Sequence, residues 1–155
     1  MIDRDELLEH YHKMRAALVA AVEGLSDAQL SEPSLDGWSV KDHLTHLAAW
    51  DEIRASEIER ISAGHATAWR MKPEHEEAIN AVLHELRGGL SVEQAKWESA
   101  ASHQRVLDAI ASATEHTIRA ILPNLLSLRG RAARSRDAGD VPRSSMTNFS
   151  TVPHS

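Results

Sequence analysis

The sequence predicts an all-α fold: an antiparallel four-helix bundle followed by a disordered basic C-terminal tail. Three observations carry that prediction. Alanine, leucine, glutamate and arginine dominate the first 128 residues, and no window alternates apolar and polar residues as a half-buried strand would. Four long segments instead repeat their apolar residues every three or four positions. Serine, aspartate, proline and glycine stand where such segments should start and stop.

The first segment runs from about Asp3, a natural cap, to Gly24. Leu7, Tyr11, Met14, Leu18, Val22 and Leu25 form its stripe. Ser26 then caps a single turn to Leu30, and Glu32 to Gly37 reads as loop. The second helix starts at Ser39, with Asp42 three residues on as a capping box, and stops near Ala63 before Gly64. Val40, Leu44, Leu47 and Asp51 share one line of it. His43, His46, Trp50 and Ile53 share the next. Its C-terminal half is charged and is expected to emerge into water. His65 to Lys72 is connection, with Trp69 as an anchor. Pro73 suits the first turn of a third helix, whose stripe is Ile79, Val82, Leu83 and Leu86 and which ends at Gly88-Gly89. Ser91, with Gln94 in the box position, opens a fourth. Its inward line is Val92, Ala95 or Lys96, Ser99, His103, Val106, Ile110 and Ala113. Thr114 to Leu128 is partly helical, broken at Pro123.

The boundaries are therefore a bundle domain at 1–128 and a tail at 129–155. The tail has few large apolar residues, and five arginines against two aspartates make it +3. Against a net charge of −6, that leaves −9 on residues 1–128. An acidic body argues against a nucleic-acid surface. No run reaches the ~18 apolar residues of a membrane helix, and acidic residues at positions 3, 5 and 6 fit no secretory signal. The absence of cysteine excludes disulfides, thiolate metal sites and a cysteine nucleophile. It suits a cytoplasmic location.

The chemistry concentrates in Gly37 to Asp51. His43 and His46 are one turn apart, so their imidazoles leave the same side of the helix, and Trp50 continues that side. His46 is the leading candidate for catalysis; its plainer reading is an imidazole packed at a helix interface. Asp51 is a candidate carboxylate base, or a group orienting an imidazole, with solvation as its default. Trp38, His43, Trp50 and His103 are candidates for lining a substrate site. The alternatives are core plugs for the tryptophans and a solvated or supporting place for His43. His10, His12, His65, His75 and His84 read as surface residues. No glycine-rich phosphate loop and no serine nucleophile elbow occurs.

Three stretches, DRDELLEHYHKMRAALVAAVEGLSDAQL, DGWSVKDHLTHLAAWDE and NAVLHELRGGLSVEQAKWESAASHQRVLDAI, resemble the DinB/YfiT-like superfamily of four-helix bundles. More narrowly they look like its ClbS/DfsB branch. The resemblance spans roughly residues 3–113, and its GWS-x-KDH-x-x-H-L-x-x-W block is the specific part. It implies an up-down-down-up bundle and a homodimer. It implies a divalent nickel or zinc ion held by three histidines, one of which maps to His46. The other two form an H-x-x-x-H pair on the last helix. The activities it implies are thiol-dependent transfer or isomerisation, or, in the ClbS branch, opening of a reactive cyclopropane without reliance on the full histidine triad. This chain has no H-x-x-x-H after residue 113. A metal at His46 is therefore expected to lack its full ligand set, since a catalytic zinc site uses three protein ligands. Residues 129–155 also lack the Tyr-Gly turn and His-Glu-Thr run of the last helix, which suggests a frameshift near 115–128. The expected function is a hydrolase or thiol transferase acting on a small electrophile in a cavity between the second and fourth helices. The alternatives are a non-catalytic binding or dimerisation module and an inactive truncated member.

Overall fold

Most of the helices begin where a side chain can satisfy a free N–H group. In the computed structural model, which describes residues 3–70 and 72–127, α1 (Arg4–Val22) is capped by Asp3 and α2 (Asp27–Ser31) by Ser26. Helix α3 (Val40–Ser62) is capped by Ser39 and α5 (Val92–Ser112) by Ser91. All four are reciprocal capping boxes, with Glu6, Gln29, Asp42 and Gln94 reaching back to the cap N–H. Helix α4 (Pro73–Arg87) has proline at its first position. Gly24 and Gly64 close α1 and α3 at φ +81° and +84°, a left-handed turn that glycine adopts without strain. No strand occurs among the described residues, and no described helix is long and apolar enough to cross a membrane.

The chain divides into two units, 1–123 and 124–155. The expected tail, 129–155, lies outside the described residues. Helix α6 (Glu115–Ser127) runs through Pro123 and does not break there. Proline's ring already holds a helical φ, and the bond it gives up belongs to the carbonyl of Arg119. Arg119 and Pro123 are both exposed, so water can take that carbonyl.

The centre of the fold is the seam between α3 and α5. Lys41 Nζ donates to the carbonyls of Gly88 (3.0 Å) and Leu90 (2.9 Å), which places the start of α3 beside the start of α5. Arg105, a long way down α5, reaches Glu52, Ser56 and Glu59 far down α3. The two helices therefore run in the same direction. Short loops make antiparallel neighbours; here the connection from 63 to 91 includes α4, which runs back along α3 and allows the parallel pair. Antiparallel contact is found between α3 and α4, through Trp50 to Asn80 and Asp42 to His84, and between α1 and α5, through Arg15 to Ser99 and Tyr11 to His103. Helices α1, α3 and α5 thus run up, down and down, as in the first three helices of an up-down-down-up bundle, and α4, expected as the third bundle helix, lies in the connection.

Small residues allow the seam to close. Ala48 and Ala55 of α3 are buried, as are Ala95, Ser99, Ser102 and Ala109 of α5, the two helices that share this seam. On α5 the inward line is the expected one, with Ala95 inside and Lys96 outside. On α3 it differs. Leu44, Ala48, Ala55 and Ile58 face inward, and Leu47 lies at the exposed edge. The charged C-terminal half of α3 stays packed instead of emerging into water. Arg105 of α5 gathers its carboxylates there. Buried Glu57 accepts from Thr67 and from the Ala68 N–H (3.2 Å) and pairs with Arg60 (3.0 Å). The outer helices bury little. Only Leu7 of α1 is buried, and Met14 is 53% exposed.

Candidate functional site

Trp38 is held in place by a local loop. Gly37 turns the chain at φ +84°. The Ser34 N–H and hydroxyl both donate to the Trp38 carbonyl at 2.9 Å, and the Trp38 N–H donates to Asp36 at 3.0 Å. The indole then lies over the first turns of α3. Its centroid is 5.3 Å from the His43 ring and 5.4 Å from His46, to which it stands edge-on. His46 meets Trp50 on its other side at 6.3 Å, also edge-on. Trp50 is buried, and its indole N–H donates to Asn80 of α4 at 2.9 Å.

Four of the residues expected at a site thus come together: Trp38, His43, His46 and Trp50. Two residues of α4, not expected there, join them. His84, read as a surface residue, is half-buried and stacks on Trp38 at 4.6 Å and 22°, with Nε2 3.5 Å from Asp42. Asn80 and His84 are i and i+4, so they share a face of α4. That spacing was the available signal, but nothing local shows which helix the face meets.

His46 is half-buried, and its Nδ1 is fully buried without a hydrogen-bond partner. Burial, then the neighbouring His43 and Arg54, lower its pKa from 6.5 to about 4. The imidazole is neutral at neutral pH, and its enclosed Nδ1 keeps unused hydrogen-bonding capacity. Burial works to raise Asp42, but Ser39 hydrogen bonds and His84 outweigh it and hold this carboxylate below its usual range.

Asp51 and His103 belong elsewhere. Asp51 pairs with Arg54 at 2.9 Å, not with His46. Burial raises its pKa in spite of Arg54. His103 lies against Tyr11 of α1 at 6.3 Å, and burial, Arg15 and His12 lower its pKa. Among the described residues, no three His, Asp or Glu side chains converge as metal ligands. No two further ligands converge on His46 among the described residues, so their side chains do not fit the three-histidine ion that the resemblance implies.

The one-turn spacing of His43 and His46 and the capping box of Ser39 are thus joined, through Trp38, to the face of α4. No curated protein and no solved structure gives a significant match to the chain. A family model of the DinB superfamily matches residues 10–140, running past the boundary expected at 128. That match takes in α3, α4 and α5 whole, with the imidazole–indole cluster inside it, and on this ground the chain belongs to the DinB superfamily.

Proposed function

We propose that this protein is a ClbS/DfsB-like member of its superfamily that binds a small electrophilic molecule beside His46 and directs water or a thiol at it. One observation carries the reading: a neutral imidazole, its buried Nδ1 without a partner, framed by two indoles. Buried polar atoms are ordinarily hydrogen-bonded, and an exception calls for a reason. A neutral imidazole in an aromatic wall, its Nδ1 closed off, is suited to meet a nucleophile's proton at its other ring nitrogen while an apolar ligand stacks on Trp38.

A pKa of about 4 makes His46 a weak base. Its role is to position the nucleophile by hydrogen bonding, and ring strain in the electrophile supplies the driving force. In such an opening the nucleophile's oxygen or sulfur bonds to a ring carbon and the strained bond breaks. The nucleophile's proton leaves to water as that bond forms, and the leaving atom takes a proton from water. Asp51 takes no part, because its carboxylate is committed to Arg54, and no step runs through a metal.

The test compares wild type with His46→Ala on a panel of epoxides and activated cyclopropanes, with water alone and with glutathione. Turnover by wild type that falls about 100-fold or more in the variant, at unchanged helicity, is the expected result. Equal rates in both proteins would remove the reading.

A second reading has its own observation. Met14 and Val19 on α1, Val82 and Leu86 on α4, and Trp97 on α5 are all exposed, with Leu86 at 75% and Trp97 at 70%. Apolar surface of that kind suits pairing with a second copy. Sedimentation of wild type against Leu86→Glu separates a homodimer from a monomer.

A further inference from the structure

Helix α1 rests on α5 and leaves a groove on the other side of α3 from His46. Leu44 lies in its floor, and residues two apart on a helix point about 200° apart. The groove has a volume of about 380 Å³, at the small end of ligand sites. Leu18, Val22 and Leu25 wall it on the α1 side.

One end is cationic. Arg15 Nη1 donates to the Ser99 hydroxyl (2.5 Å) and carbonyl (3.2 Å), and the guanidinium is half-buried at the groove mouth. Both partners are neutral. Among the described residues no carboxylate lies within ion-pair distance of it; Asp51 feels its charge only at longer range. Lys96, one turn before Ser99, and Glu23, just past the end of α1, also line the groove, further along it from Arg15.

We infer that this groove binds a medium-chain carboxylate, its head on Arg15 and its tail along Leu18, Val22, Leu25 and Leu44. The guanidinium fork matches a planar carboxylate, and Ser99 already fixes its orientation. From Arg15 to Val22 is about 10 Å of helix, the reach of an extended tail. The proposal is independent of His46.

The test is calorimetric titration with decanoate, decanol and acetate. Wild type is expected to bind decanoate saturably at one per chain, decanol more weakly and acetate not at all. Arg15→Gln should weaken decanoate about tenfold or more and leave decanol unchanged. Should that variant misfold, methyl resonances of wild type give the answer: decanoate must shift Leu18, Leu25 and Leu44 and leave Ile58 in place. No saturable binding, equal affinity for decanoate and decanol, or shifts elsewhere would overturn the proposal. So would a dimer that Leu18→Glu dissociates, because the groove's occupant would then be a second copy.

Discussion

His46 shows how far surroundings reset one side chain. The same residue on an exposed turn would titrate near 6.5; burial beside His43 and Arg54 brings it to about 4. The consequence for stability follows in sign. As pH falls from 7, the unfolded chain takes up the proton first, so stability is lost between about 6.5 and about 4. His46→Gln should flatten that limb of a urea-denaturation profile against pH, and the wild-type imidazole should titrate by NMR well below pH 6. Trp50 gives a second residue-scale expectation. Trp50→Phe keeps most of the ring but leaves Asn80 without its donor, for a loss of about 1 kcal/mol; Trp50→Ala empties a buried site and should cost about 3–5 kcal/mol in the same measurement.

Among the elements, helix starts are set locally and helix faces are not. Ser39 is buried and exchanges hydrogen bonds with Asp42 in both directions. Ser39→Ala should therefore cost about 1–2 kcal/mol, and exposed Ser91→Ala nearer ~1 kcal/mol, by denaturant midpoint. Every one of these caps could be read from four consecutive residues. The inward face of α3 could not. Its apolar pattern allows a line through Leu47, and only α5, approaching along Ala48 and Ala55, selects the other. Pro123 is a case of the opposite kind. The local rule for proline is sound, but an exposed turn lets water take the carbonyl that loses its partner.

At the scale of the molecule, close approach of α3 and α5 outweighs the ion pairs that decorate it. Ala55 is fully buried, so Ala55→Leu must push the helices apart and should cost about 1–3 kcal/mol or more. Arg105→Gln removes contacts to Glu52 and Glu59 that are about half-exposed to water, and should cost less than about 1 kcal/mol. Thermal melts of the two variants give the ranking directly. Wild type at high salt should likewise lose little.

The sequence by itself determined the helices, their caps, the acidic body and the cluster of Trp38, His43, His46 and Trp50. Each of these rests on residues within about four turns of one another, where helical spacing alone fixes the geometry. The tertiary structure decided what those residues face. It laid His84 on Trp38, gave Asp51 to Arg54, turned His103 toward Tyr11, and brought Arg15 onto Ser99 across 84 positions of chain. Such pairings depend on which helices touch and in which direction they run, and that is set by packing small residues in a shared seam, which no single segment records.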